Sequence, residues 1–220
     1  MIIRASKYMR MRRDCASRLF VTAVLISASL GGCTVVSDQE LAQLQAKDQR
    51  HGPDPVATLS TGVRPYAKAH AKPIGEVLKA LNADGASFDD VCKKYGFRQT
   101  TAFPCNFWVS VDGKVGAIDT ASRMGKAEVA VADAGDSQIA LQLGPVLIGT
   151  GVRDGYPGVK YSDFDDQTRF AVFGQAMNKQ LVTKLQTFKP ATGSTVHVVG
   201  VFSGWSTPAG LVRVIPVIWQ

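Results

Sequence analysis

Apolar residues change their spacing several times along this chain, and each change marks a different kind of element. Leu19 to Leu30 (LFVTAVLISASL) is an uncharged, mostly apolar run of twelve. It matches the core of a secretory leader and falls short of the roughly 20 residues a membrane-spanning helix needs. Ser37-Asp38-Gln39-Glu40 reads as a capping box that opens a short polar helix to about Arg50. Gly52-Pro53 breaks it. Asp54-Pro55 then places an N-cap ahead of a proline at the first helical position. Helical spacing continues to Leu81, kinked at Pro65 and Pro73. After a turn over 82–85, Ser87-Phe88-Asp89-Asp90 caps another short helix that ends at Gly96.

From Asn106 the period shortens to two. Phe107 to Val111 and Val115 to Ile118 flank Asp112-Gly113, the signature of a two-residue hairpin. Lys126 to Ala132 alternates, with Ala127, Val129 and Val131 on one face, and Ile139 to Ile148 supplies a fourth strand broken by Gly144-Pro145. A Gly-rich, charged loop covers Gly149 to Ser162. Phe170, Phe173, Met177, Leu181, Leu185 and Phe188 then recur at steps of three and four, which predicts a core-facing helix with Asp163 as its N-cap. Pro190 and Gly193 stop it. Thr195 to Phe202 and Leu211 to Trp219 are the last strands, and Pro216 argues for an edge or a bulge there.

This order predicts an α+β fold: a small N-terminal helical bundle (54–96) joined to an OB-like antiparallel β-barrel (97–220). The long helix lies between the fourth strand and the last two. A two-layer α+β sheet would produce the same string of elements. Residues 1–32 are read as a leader and 33–53 as an anchor and polar stalk.

Composition sharpens the reading of the leader. The 220 residues carry a formal charge of +7, but residues 1–32 hold six Lys or Arg against Asp14 alone, a net +5. The remaining 19 basic and 17 acidic residues nearly balance, so charge makes no case for a nucleic-acid partner. The apolar run ends in Leu30-Gly31-Gly32-Cys33, which resembles a bacterial lipobox. Small residues ahead of the cysteine admit the peptidase, and the Cys33 thiol accepts the lipid; a plain leader with an incidental cysteine is the rival reading. Two or three acyl chains there anchor stably, whereas one binds only marginally. Thr34, where an Asp favours inner-membrane retention, leans towards the outer membrane.

Cys15 departs with the leader and Cys33 is lipidated, so Cys92 and Cys105 remain. In an oxidising periplasm a disulfide is the simplest use of them, with free thiols and a metal site as rivals. The metal reading lacks both ligand spacing and a nearby His.

Catalytic grammar is sparse. His51, His70 and His197 have no zinc-ligand spacing, and neither a G-x-S-x-G elbow nor a phosphate loop occurs. Potentially buried polar chemistry concentrates in 149–167, with Thr150, Arg153, Asp154, Tyr156, Tyr161, Asp163, Asp165, Asp166 and Gln167. Arg153 beside Asp154 reads first as a buried pair that fixes the loop. A site for a small polar ligand comes second, with Arg supplying forked donors and Tyr161 or Phe164 a stacking face. A catalytic role comes last, because no nucleophile–base pairing is visible.

Several blocks, in order, give the chain a family resemblance. They are Asn106-Phe107 with Val109, Ala117 to Arg123 with Gly125, and Leu143-Gly144-Pro145-Val146 with Gly149-Thr150. Val152-Arg153-Asp154, Ser162-Asp163-Phe164 with Gln167, Asn178, Gly200 with Phe202, and Val214-Ile215-Pro216-Val217 follow. The chain resembles the predicted periplasmic lipoproteins grouped as domain of unknown function 2291. The resemblance implies a helical bundle joined to an OB-like barrel. It also implies an accessory role in solute uptake, because members are often encoded beside sugar-type ABC transporter components. Thr150, Arg153, Asp154, Tyr161, Asp163, Phe164, Gln167 and Asn178 are the ligand or partner candidates. The family's Thr-Asn-Gln is replaced here by Asp165-Asp166-Gln167, and the Cys92/Cys105 pair lies outside its pattern.

The resulting expectation is a lipid-anchored, non-enzymatic periplasmic protein, an accessory or solute-binding component of a sugar-type ABC import system, without cofactor or metal. Its partners would be the membrane, through Cys33, and an importer permease or periplasmic binding protein. An envelope assembly factor and an enzyme acting on a polar small molecule are the alternatives.

Overall fold

The structure is a computed structural model that describes Ser37, Gln39, residues 52–132, 134 and 137–220. The expected leader, the Cys33 lipobox and, but for Ser37 and Gln39, the stalk helix lie outside the described residues. Residues Gln49–Gln220 form one compact unit.

The unit opens as its sequence suggests. Asp54 caps α1 (Pro55–Ala57), its Oδ1 accepting from the Ala57 amide at 2.6 Å. The expected kink at Pro65 is instead a π-helical turn, Thr58–Val63, leading into α2 (Arg64–His70). Pro65 has no N–H to donate, and the wider turn ahead of it accommodates its ring. At Pro73 the helix breaks outright. Lys72–Pro73 becomes β1, and α3 (Ile74–Leu81) and α4 (Phe88–Tyr95) follow. Leu59, Val63, Ala67, Ile74, Val77, Leu78 and Leu81 are all buried, so these helices turn one apolar face to the strands.

The strands are β2 (Cys105–Asp119), β3 (Lys126–Ala130), β4 (Gln138–Gln142), β5 (Thr195–Gly204) and β6 (Leu211–Trp219). They form one six-stranded sheet ordered β1-β2-β3-β4-β6-β5, in which β2 also pairs with β5. The antiparallel barrel expected from the sequence is thus a curled sheet of mixed direction, with β1–β2 and β4–β6 parallel.

The Asp112-Gly113 hairpin does not form. β2 runs straight through it, pairing Cys105 to Lys114 with β5 and Lys114 to Asp119 with β3. Gly113 serves a close approach instead of a turn: a Cβ there would lie 2.3 Å from the Ala130 carbonyl oxygen and 2.7 Å from a Val129 methyl. The long strand can therefore bend between two neighbours. The fourth strand also stops earlier than expected, at Gln142 rather than Ile148. Pro216 sits at an irregularity in the β5–β6 register, as its ring requires.

Two short elements separate β4 from the long helix: α5 (Gly151–Asp154) and a 3-10 turn over Tyr161–Asp163. The long helix is α6 (Gln167–Leu185), with Phe170, Phe173, Met177, Leu181 and Leu185 buried. Its N-cap is Asp166, which accepts from the Arg169 amide at 2.8 Å, and not Asp163. Phe164 is extended and buried between Phe170 and Phe173, so the helix starts only after that ring has turned inward.

Cys92 and Cys105 form a disulfide with Cα atoms 6.0 Å apart, tying α4 to the start of β2. A loop of this length stabilises by roughly 3 kcal/mol in the chain-entropy account.

Candidate functional site

The residues singled out between 149 and 167 do gather, but around one another. α5 places Arg153 and Asp154 on a buried side, with side chains 7% and 2% exposed. Arg153 Nε donates to Asp154 Oδ1 at 2.7 Å, and its Nη1 donates to the Phe170 carbonyl at 2.8 Å. Thr150 Oγ1 donates to the other Asp154 oxygen. The guanidinium also lies over the Phe170 ring, 3.6 Å from its centroid. Gly174 on α6 makes room for this stack, since a Cβ there would approach Arg153 Nη1 to 3.0 Å. No buried side-chain N or O lacks a partner among the described residues. A buried pair so enclosed holds a loop, its charges turned to each other and to the Phe170 backbone.

The other candidates have local duties. Asp163 accepts from the Lys160 amide at 2.8 Å, and the exposed Tyr161 ring meets Phe170 edge-on. Gln167 is the exposed first residue of α6. Asn178 Nδ2 donates to the Gly149 carbonyl at 2.9 Å, tying α6 to the loop. Asp166, the departure from the family pattern, caps the helix, a task Asn and Asp share.

Sequence reasoning missed the residues that dock this loop. Asn106 is fully buried; its Nδ2 donates to the Phe97 and Pro104 carbonyls, and its Oδ1 accepts from Ser203 Oγ at 2.6 Å. Trp108 Nε1 donates to the Gly155 carbonyl at 2.6 Å. Polar residues inside an apolar strand were the available signal.

Open concavities lie elsewhere, among them one of about 350 Å³ lined by Gly116, Glu128, Ala130 and Gln138. A recess of about 240 Å³ borders β6 and the β5–β6 loop, with Phe202, Pro208, Leu211 and Ile148 among its walls. A second, of about 170 Å³, adjoins it over β3 and β4 and reaches Met124 and Asp119. Gln142, Ile148, Leu211 and Arg213 border both. Of the segment 149–167, Gly149 alone reaches the first recess. At the far rim, the Ser122 amide, followed by that of Ala121, bonds Asp119 and holds its carboxyl below the usual carboxylate range. Among the described residues no three His, Cys, Asp or Glu side chains converge as metal ligands. Nor is any described helix long and apolar enough to cross a membrane.

A curled mixed sheet, a long helix between its last three strands, and loops around one open face define an OB-type α+β domain. The solved structures agree: the chain is similar to an OB-fold protein from Thermotoga maritima, with 16% identity and a TM-score of 0.57. The match covers 77% of this chain and 98% of that one, and shows the fold. No curated protein matches the chain. The family is shown directly. Over residues 23–220 the chain matches the model of the predicted periplasmic lipoproteins (DUF2291), and it belongs to that family. Membership makes it a lipid-anchored protein of the cell envelope.

Proposed function

We propose that this chain is a non-enzymatic accessory lipoprotein of a sugar-type ABC import system, held to the membrane through lipid on Cys33. It acts by contact with the importer's permease or binding protein. One observation carries the non-enzymatic part: the polar residues that would do chemistry in 149–167 are bonded to one another and to backbone. The same observation favours the accessory role over sugar binding. A sugar's hydroxyls need free donors and acceptors, whereas Gln142 and Ser203 in the open recess are already engaged within the protein. The import link is supported by the family's frequent placement beside sugar-type ABC components.

In-cell crosslinking of the intact lipoprotein, followed by mass spectrometry, tests this reading. Recovery of an importer permease or binding protein is expected. Recovery of envelope-assembly proteins alone would transfer the chain to the assembly reading, and Cys33→Ser protein that stays membrane-bound would overturn the anchor.

A further inference from the structure

The double recess beside β6 has features that a plain surface dent lacks. Along its floor, Ala140 and Arg213 lie side by side on β4 and β6, and Glu128 on β3 continues the same row beyond the recess. They sit on the face turned away from the core, because Ala127, Val129, Ile139, Leu141, Val212 and Val214 point inward. The small Ala140 side chain leaves space in the middle of that row. Glu128 pairs with Lys126, 2.8 Å away, and Arg213, two strands over, has neither hydrogen bond nor ion pair among the described residues.

The wall over this floor is held in place. Gln142 is buried, and its Oε1 accepts from the Ile148 amide at 2.7 Å while its Nε2 approaches the Ile148 carbonyl at 3.4 Å. Asn178 holds the next carbonyl, that of Gly149, from the helix side. Two amide side chains thus fix a backbone whose Ile148 side chain remains 46% exposed above the recess. The segment is also laced to the opposite rim: Leu143, Gly144 and Val146 donate to the carbonyls of Gly125, Met124 and Arg123. Met124 and Val146 stay exposed beside Ile148. A rigid apolar rim standing over an unpaired guanidinium is a preorganised arrangement for one chemistry.

We infer that the recess bounded by Arg213, Ile148 and Leu211 binds a small organic monoanion with an apolar body, a monocarboxylate of hexanoate size. The carboxylate meets the Arg213 fork, whose geometry suits two parallel N–H···O bonds. The hydrocarbon lies against Ile148, Leu211, Phe202 and Pro208, which border the larger recess. That recess has no acidic side chain in its lining, so the positive charge of Arg213 is uncancelled there. A sugar acid fits less well, because its hydroxyls would find Gln142 and Ser203 already committed. The site is independent of the importer partner, and its failure would leave the crosslinking result untouched.

The test is calorimetric titration of the full lipidated chain in nanodiscs, with empty nanodiscs as blank. Hexanoate is expected to bind saturably at one site. Arg213→Gln should weaken it about tenfold or more, as loss of a charge-assisted pair requires, while leaving the thermal melt in place. Hexanamide, which keeps the apolar body without the charge, should bind correspondingly less well. Ile148→Ser should weaken hexanoate but leave the preference for acid over amide. Absence of saturable hexanoate binding would overturn the inference, as would equal binding to the wild type and Arg213→Gln. Tighter binding of galacturonate than of hexanoate would overturn the apolar part of it.

Discussion

Arg153 and Arg213 are the same side chain put to opposite uses. Arg153 is enclosed, with its guanidinium shared among Asp154, the Phe170 carbonyl and the Phe170 ring. Arg213 stands on an open strand face with no partner among the described residues, under a rim of exposed apolar side chains. The first looks like a site in the sequence because charge and aromatic residues crowd together. The second is invisible there, a single Arg between Val212 and Val214. Density of polar residues in sequence marks where a fold must satisfy itself, and an unsatisfied group in a shaped recess marks where it can bind.

Breaking the enclosed half should cost most. Asp154→Ala leaves Arg153 buried without its carboxylate, and such uncompensated charges destabilise by about 3–5 kcal/mol. Urea unfolding should therefore show a large fall in midpoint; a change below about 1 kcal/mol would mean that the pair is not the keystone of the loop.

The rim offers a middle case. Gln142→Ala removes the partner of the Ile148 amide, and an orphaned donor costs roughly 1–3 kcal/mol. Hydrogen exchange should accelerate at Ile148 in this variant while Asp154 and Arg153 amides keep their protection.

The open half should barely respond. Arg213→Gln is expected to shift stability by less than about 0.5 kcal/mol, as surface changes without partners do. A larger loss in thermal melting would give Arg213 a structural role and erase the contrast.

The smallest effect concerns Asp119 at the far edge of the second recess. Its carboxyl is held low by the Ser122 and Ala121 amides, so those bonds are complete above the usual carboxylate range. They are lost only as pH falls through the lowered value, because protonation of a depressed acid is what releases the loop. A carboxyl NMR titration of Asp119 should show a midpoint below that of an ordinary Asp, with the Ser122 amide signal moving in step.

Where local signals act alone, the reading from sequence stood. Asp54-Pro55, the stripe from Phe170 to Leu185 and the final two strands need nothing beyond capping, periodicity and burial. The disulfide followed from compartment and count, and the geometry of α4 beside β2 accommodates it. Asp112-Gly113 shows the limit. The dipeptide permits a turn, but ten paired residues along β5 hold β2 extended, and the glycine is needed because β3 crosses within van der Waals range of it. Asp163 shows the same limit at a helix start, where burial of Phe164 outweighed the first available cap.

The candidate site was legible in part. Thr150, Arg153 and Asp154 were found together because they are neighbours in sequence and their chemistry is mutual. The partners that enclose them, Phe170 and Gly174, and the strand residues that dock the loop, Asn106 and Trp108, come from distant positions. Spacing along the chain carries no information about such meetings.

From its own residues the chain determined its lipobox resemblance, its alternation of helix and strand and its place in the family. Those properties depend on short stretches read one at a time. Long-range packing decided which polar residues are enclosed and which stay open. Whether a guanidinium finds a carboxylate depends on strands brought side by side across the sheet, as Glu128, Ala140 and Arg213 are, with the charge of Glu128 drawn to Lys126 and that of Arg213 left facing solvent.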